Sequence, residues 1–231
     1  TINPVDNNIY DNAANPANKI QDNNSMNLFD KQPPVITNVN LSKANDTLFV
    51  TLSEAAYAKE SGTGALVTSD FTLSIVNGFS KLTNPNPSAV TNLGSNVYAL
   101  TFGISGTPDG REELFVAPSS NSIFDASGNI AATKQSNNSV YLNDQKAPTA
   151  PQGLVAIPGN TQATISWRAS GENDISKYYI YGGTTVDPST VMDSVSYGSN
   201  TKIISGLTNE TRYYFKLSSL DKTGYESPKS D

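Results

Sequence analysis

Apolar and polar residues alternate with a period of two in six short runs between residues 35 and 144. In "TLFVTLS" (47–53) Leu48, Val50 and Leu52 fall on one face. In "DFTLSIVNG" (70–78) Phe71, Leu73 and Ile75 do the same before Asn77–Gly78 ends the run. A period of two places successive side chains on opposite faces of a strand. "VITNVNLS" (35–42), "VYALTFG" (97–103), "ELFVAP" (113–118) and "SVYLND" (139–144) supply the other strands. Gly, Pro, Asn or Asp bounds each run, and these residues take turn conformations. The pattern predicts an all-β chain of antiparallel sandwiches.

A second pattern runs over a longer distance. Residues 4–34 align without a gap on residues 118–148, and thirteen of the thirty-one positions are identical. They are Pro4, Asn7, Ile9, Asp11, Asn15, Ala17, Gln21, Asn23, Asn24, Ser25, Leu28, Asp30 and Pro34. A disordered, Asn-rich leader has no reason to copy a strand-bearing segment in this way. Residues 1–32 therefore read as the closing part of a module like residues 33–146, with 23–29 extended like 137–143. A period of this size indicates an array of modules.

Composition narrows the chemistry. Of 231 residues only 16% are charged, the net charge is −6, and neither Cys nor His occurs. Thiolate and imidazole catalysis, disulfides and Cys/His metal sites are thereby removed. No Lys/Arg run is present for a phosphate backbone, so no nucleic-acid partner is expected. The apolar runs are far shorter than a membrane span, and none is expected in this segment.

Residues 33–146 resemble a bacterial Ig-like repeat of secreted and surface proteins. "LSEAAYA" (52–58), "SDFTLSIVNG" (69–78), "GTPDGREELFVAP" (106–118) and "NSIFDASGN" (121–129) carry that resemblance. "APQGLVA" (150–156), "TQATISWRAS" (161–170), "ISKYYIYGGTT" (175–185) and "SGLTNETRYYFKLSSLDKTGYESP" (205–228) resemble a fibronectin type III domain over 147–231. The second resemblance implies a core Trp at Trp167 and a tyrosine corner formed by Leu207 and Tyr213. Asn209 replaces the usual Pro, which implies a looser corner. The family's final strand is expected to lie beyond Asp231, leaving the edge of strand 211–220 open to a segment of another copy. Of the three tyrosines on the 175–185 strand, Tyr179 is assigned the face opposite Tyr178 and Tyr181.

Catalytic constellations are weak. Glu54, Glu112 and Glu113 are the carboxylates available to a paired-carboxylate hydrolase, but such charges are ordinary on a sandwich surface. Asp125 and Asn129 recur as Asp11 and Asn15, which suits Asx-turn chemistry and also suits calcium. Sandwich topology sends the acidic loops of each module toward its entering linker. It thereby gathers Asp30, Glu54, Asp125 and Asn129 at the first junction, and Asp144, Glu172, Asp174 and Asp221 at the second. These groups read either as solvated loop charges or as calcium ligands at the two junctions, and no other cofactor is suggested. "DTL" (46–48) and "DSV" (193–195) match an O-glycosylation tripeptide, with Thr47 and Ser194 as acceptors.

The function expected is that of a non-catalytic stalk, spacer or fibre segment of a long bacterial protein, extracellular or on the cell surface. Its partners would be the neighbouring domains and, by strand exchange, other copies. The alternatives are an adhesin-like or carbohydrate-binding module with cell-surface or polysaccharide ligands, and an accessory region of a secreted hydrolase.

Overall fold

The computed structural model describes residues 9–17 and 28–231. Much of the stretch expected to be extended, 23–29, lies outside the described residues.

The central module contains β1 (Ile36–Leu41), β2 (Thr47–Leu52), β3 (Phe71–Val76), β4 (Lys81–Leu82) and β5 (Ala89–Gly94). It continues with β6 (Val97–Thr101), β7 (Ile104–Ser105), β8 (Glu113–Pro118) and β9 (Ser139–Tyr141). One sheet has the order β1-β2-β6-β5 and faces a second with the order β3-β8-β9. All pairings are antiparallel. The alternation read from sequence is what closes the module. Leu48, Val50, Leu52, Phe71, Leu73, Leu100, Leu114 and Val116 are buried in one core, and their neighbours face out. Each such side chain contributes roughly 1.5–3 kcal/mol on burial.

The later strands form a second sandwich around a separate core. Its strands are β10 (Gln152–Gly159), β11 (Gln162–Arg168), β12 (Ile175–Gly183), β13 (Val191–Ser196), β14 (Thr201–Ser205) and β15 (Tyr214–Asp221). The sheets run β10-β11-β14 and β13-β12-β15. Trp167 is 4% exposed and meets Tyr178 edge-on, with ring centroids 5.2 Å apart. At the crossover after β14 the Thr208 N–H donates to the Tyr213 hydroxyl at 3.3 Å. Asn209 is tied down as well, for its Oδ1 accepts the Thr161 N–H at 2.8 Å.

Two details differ from the sequence expectation. Tyr178 joins Ile180 in the core, whereas Tyr181 lies outside that cluster, with its hydroxyl on Glu226 and the Lys229 ammonium over its ring. Positions 179 and 181 are two apart and share a face; positions 178 and 181 do not. Part of the β15 edge is also occupied. The Ser227 and Ser230 N–H groups donate to Ser219 O and Leu217 O at 2.8 and 2.7 Å. Their hydroxyls in turn accept the Ser219 and Leu217 N–H groups.

Among the described residues no helix is long and apolar enough to cross a membrane.

Candidate functional site

One loop recurs three times, at residues 11–15, 125–129 and 221–225. In each an Asp opens the turn and the fourth residue has a left-handed backbone, with φ of 61° at Ala14, 83° at Gly128 and 100° at Gly224. In each the Asp N–H donates to the carbonyl of the fifth residue, at 3.0, 3.1 and 3.0 Å. Flanking bridges Tyr10–Pro16, Phe124–Ile130 and Leu220–Glu226 close all three as small hairpins.

The Asp side chain organises the turn. Asp125 is 1% exposed, and its Oδ1 accepts the Ser127 and Asn129 N–H groups at 2.8 Å each. Its Oδ2 accepts the Asn129 side-chain amide at 2.7 Å. Asp11 repeats this, with Ala13 and Asn15 N–H on Oδ1 and the Asn15 amide on Oδ2 at 3.0 Å. Burial works against the charged form of Asp125, but the hydrogen bonds from Asn129, Ser127 and Gly128 outweigh it and hold the pKa below the ordinary value.

At Asp221 half of this arrangement is absent. Its Oδ1 accepts the N–H groups of Thr223, Gly224 and Tyr225 at 2.9, 2.6 and 2.8 Å, and the Thr223 hydroxyl at 2.9 Å. The fifth residue is Tyr225 instead of Asn, and Asp221 Oδ2 is buried with no hydrogen-bond partner among the described residues. The shared pattern Asp-x-Ser/Thr-Gly was visible in "DASGN" and "DKTGY". Exchange of the fifth residue concealed it.

The loops led by Asp125 and Asp221 sit at the junctions. At the first, carboxylate oxygens of Asp30, Glu54 and Asp125 lie within 4.8 Å of one another, and the Asn129 amide also donates to Asp30 O at 3.1 Å. Burial, then the charges of Asp125 and Asp30, push the Glu54 pKa up. At the second, the Thr223 hydroxyl lies 3.5 Å from Asp144 Oδ2. Burial, then the charges of Asp221 and Asp174, raise the Asp144 pKa. Asp174 Oδ1 is a further buried oxygen without a partner. Glu172 stands apart from this trio and accepts the linker N–H of Thr149 at 3.1 Å.

The remaining candidates are distributed elsewhere. Glu112 is fully buried and accepts the Phe79, Ser80 and Asp109 N–H groups at 3.0–3.1 Å. A Cβ at Gly78, where φ is 55°, would lie 2.3 Å from the Glu112 carboxyl carbon, so the turn requires glycine. Glu113 accepts the Ser139 hydroxyl. Thr47 is half-buried at the start of β2, and Ser194 is exposed on β13.

No family model matches the chain. It is 31% identical over 149 residues to chitinase A1 of Niallia circulans, a match covering 61% of this chain and 19% of that protein. Among solved structures, titin domains A168–A170 align over 87% of this chain and 64% of theirs, with 14% identity and a TM-score of 0.48. Chicken CNTN1 domains FN1–FN3 align over 86% and 63%, with 20% identity and a TM-score of 0.38. By its own strand order the chain is all-β, a tandem of antiparallel sandwiches.

Proposed function

We propose that this chain is a non-catalytic spacer segment of a long extracellular or cell-surface protein. In this reading residues 1–32 end one Ig-like repeat, 33–146 form the next, and 147–231 form a fibronectin type III domain. The observation that carries the reading is the second linker, which is bound on both sides. Asn143 forms a two-way clasp with Asn45, its N–H and Asn45 Nδ2 each spanning 2.8 Å. The Gln145 N–H donates to Pro108 O at 2.9 Å. On the other side Asp144 meets Thr223, and Thr149 meets Glu172. With Pro148 and Pro151 restricting the backbone, such a linker transmits orientation from block to block.

The test uses spin labels on Ser74→Cys and Ser199→Cys, both exposed positions in a chain without native cysteine. A single narrow distance distribution is expected. A broad one, like that of a flexible tether, overturns the spacer reading.

The chitinase A1 match favours a second reading, an accessory segment beside a catalytic domain of a secreted hydrolase. Co-sedimentation of the chain with insoluble chitin would support it.

A further inference from the structure

One side of the central module is laced by side chains. Strand β1 follows the entering linker and β9 precedes the leaving one. The two strands touch, yet they belong to different sheets and share no ladder bonds. At the start of β1 the Ile36 N–H donates to Gln135 Oε1 at 2.8 Å, and Gln135 Nε2 is held by Ala132 O at 2.6 Å. Past the end of β1, Asn45 is 1% exposed and bonds the Asn143 backbone both ways. The Asn143 amide donates to Ser42 O and Asn45 Oδ1 at 2.9 Å each, and the Gln145 amide to Lys43 O at 3.3 Å. Start meets start and end meets end, so β1 and β9 run side by side in the same direction.

That direction decides how tension is carried. Load from the entering linker pulls β1 by its start, and load from the leaving linker pulls β9 by its end. The two strands are drawn past each other along their length, so the bonds at both ends of the seam are strained together. In an unzipping geometry they would break singly. We propose that Gln135, Asn143 and Asn45 form a mechanical clamp that sets the force at which the central module opens. Forced unfolding follows the unfolding rate instead of the equilibrium stability, so a few bonds across the loaded seam can dominate it. The choice of residue fits this role. Asn45 has a left-handed backbone, with φ of 57°. Glycine would serve the turn as well; asparagine adds the amide.

The clamp takes its purpose from the spacer reading, but the two fail separately. A broad spin-label distribution would remove the spacer and leave the clamp measurable; a response without direction would remove the clamp and leave the spacer. The full chain is held by handles at its two ends in an optical trap. The central module is recognised by a release of about 35–40 nm, against about 25–30 nm for the last module. Asn45→Gly keeps the left-handed turn and removes the amide, and the central module should then open about tenfold faster or more at fixed force. Gln135→Ala should act in the same direction. Handles are then moved to Ser74→Cys on β3 and Thr91→Cys on β5, exposed positions on the strands farthest from the seam in a chain without native cysteine. Along that axis Asn45→Gly should change the rate about threefold at most. Asn143→Ala repeats both measurements if Asn45→Gly does not fold. An unchanged end-to-end rate overturns the proposal, as does equal acceleration along both axes.

Discussion

The loops at 125–129 and 221–225 follow the same backbone path and differ in consequence through one side chain. In both, the first carboxylate oxygen gathers the turn's own N–H groups, and that is enough to fix its shape. The second oxygen is free to act outside the turn. Where the fifth residue is Asn129, a neutral amide occupies it and reaches the linker within the protein. Where it is Tyr225, no group among the described residues does so. A single position thus decides whether the second oxygen of the turn Asp is partnered.

The largest expected effect tests the shared half. Asp125→Ala leaves the Ser127 and Asn129 N–H groups without their acceptor and should cost about 3 kcal/mol in urea unfolding. Asp221→Ala should cost a similar amount, because the first oxygen has the same role in both loops. A cost below about 0.5 kcal/mol at Asp125 would mean that the backbone closes the turn unaided.

The next test exchanges the halves that differ. Asn129→Tyr converts the first loop to the form of the second and should destabilise the central module by about 2 kcal/mol, the scale of one buried unpaired oxygen. Tyr225→Asn should stabilise the last module by about 1 kcal/mol, by supplying a donor to Asp221 Oδ2. If both substitutions are neutral by chemical denaturation, the second oxygen is irrelevant to stability.

The smallest effect concerns charge at the first junction. The Glu54 pKa is raised, so its ionised form costs stability at neutral pH. That cost falls away as the pH drops through the raised value toward the ordinary 4.5. The Asp125 pKa is lowered, so its contribution is intact above the ordinary 3.8 and disappears as the pH falls through the depressed value. Central-module stability should therefore rise slightly on acidification from neutral pH, then fall in stronger acid. Glu54→Gln should reduce the rise, buried Asp70 supplying the remainder, and add about 0.3 kcal/mol at pH 7, the scale of screened surface pairs. A flat profile in both proteins would place these charges too far apart to interact.

Legibility in the sequence followed the physics of each element. Strands with one buried face announced themselves, as β2 and β8 did, because burial imposes alternation. Strand β5, "AVTNLG", was missed: it is an almost wholly exposed edge with no face to encode. The two-residue ladder of β4 and β7 is too short for any period. Topology was sufficient to bring Asp30, Glu54 and Asp125 together, and Asp144 near Asp174 and Asp221. It was not sufficient for Glu172, whose direction is set by one linker N–H. Partnering of individual oxygens was beyond reach, since it depends on geometry below the resolution of spacing rules.

The Asn45–Asn143 clasp also constrains the order in which the chain can fold. It joins positions 98 residues apart in sequence, and the Asn143 amide reaches Ser42 O as well. Strand β9, just before it, completes the sheet begun by β3 and β8. Contacts of such long range form late, after most loop-closure entropy has been spent. A chain emerging from its N-terminus would hold the β8 edge and the turn at Asn45 exposed until residue 143 was free. The linker is therefore the last piece of the module it leaves, and its arrival both closes the sheet and fixes the starting point of the next domain.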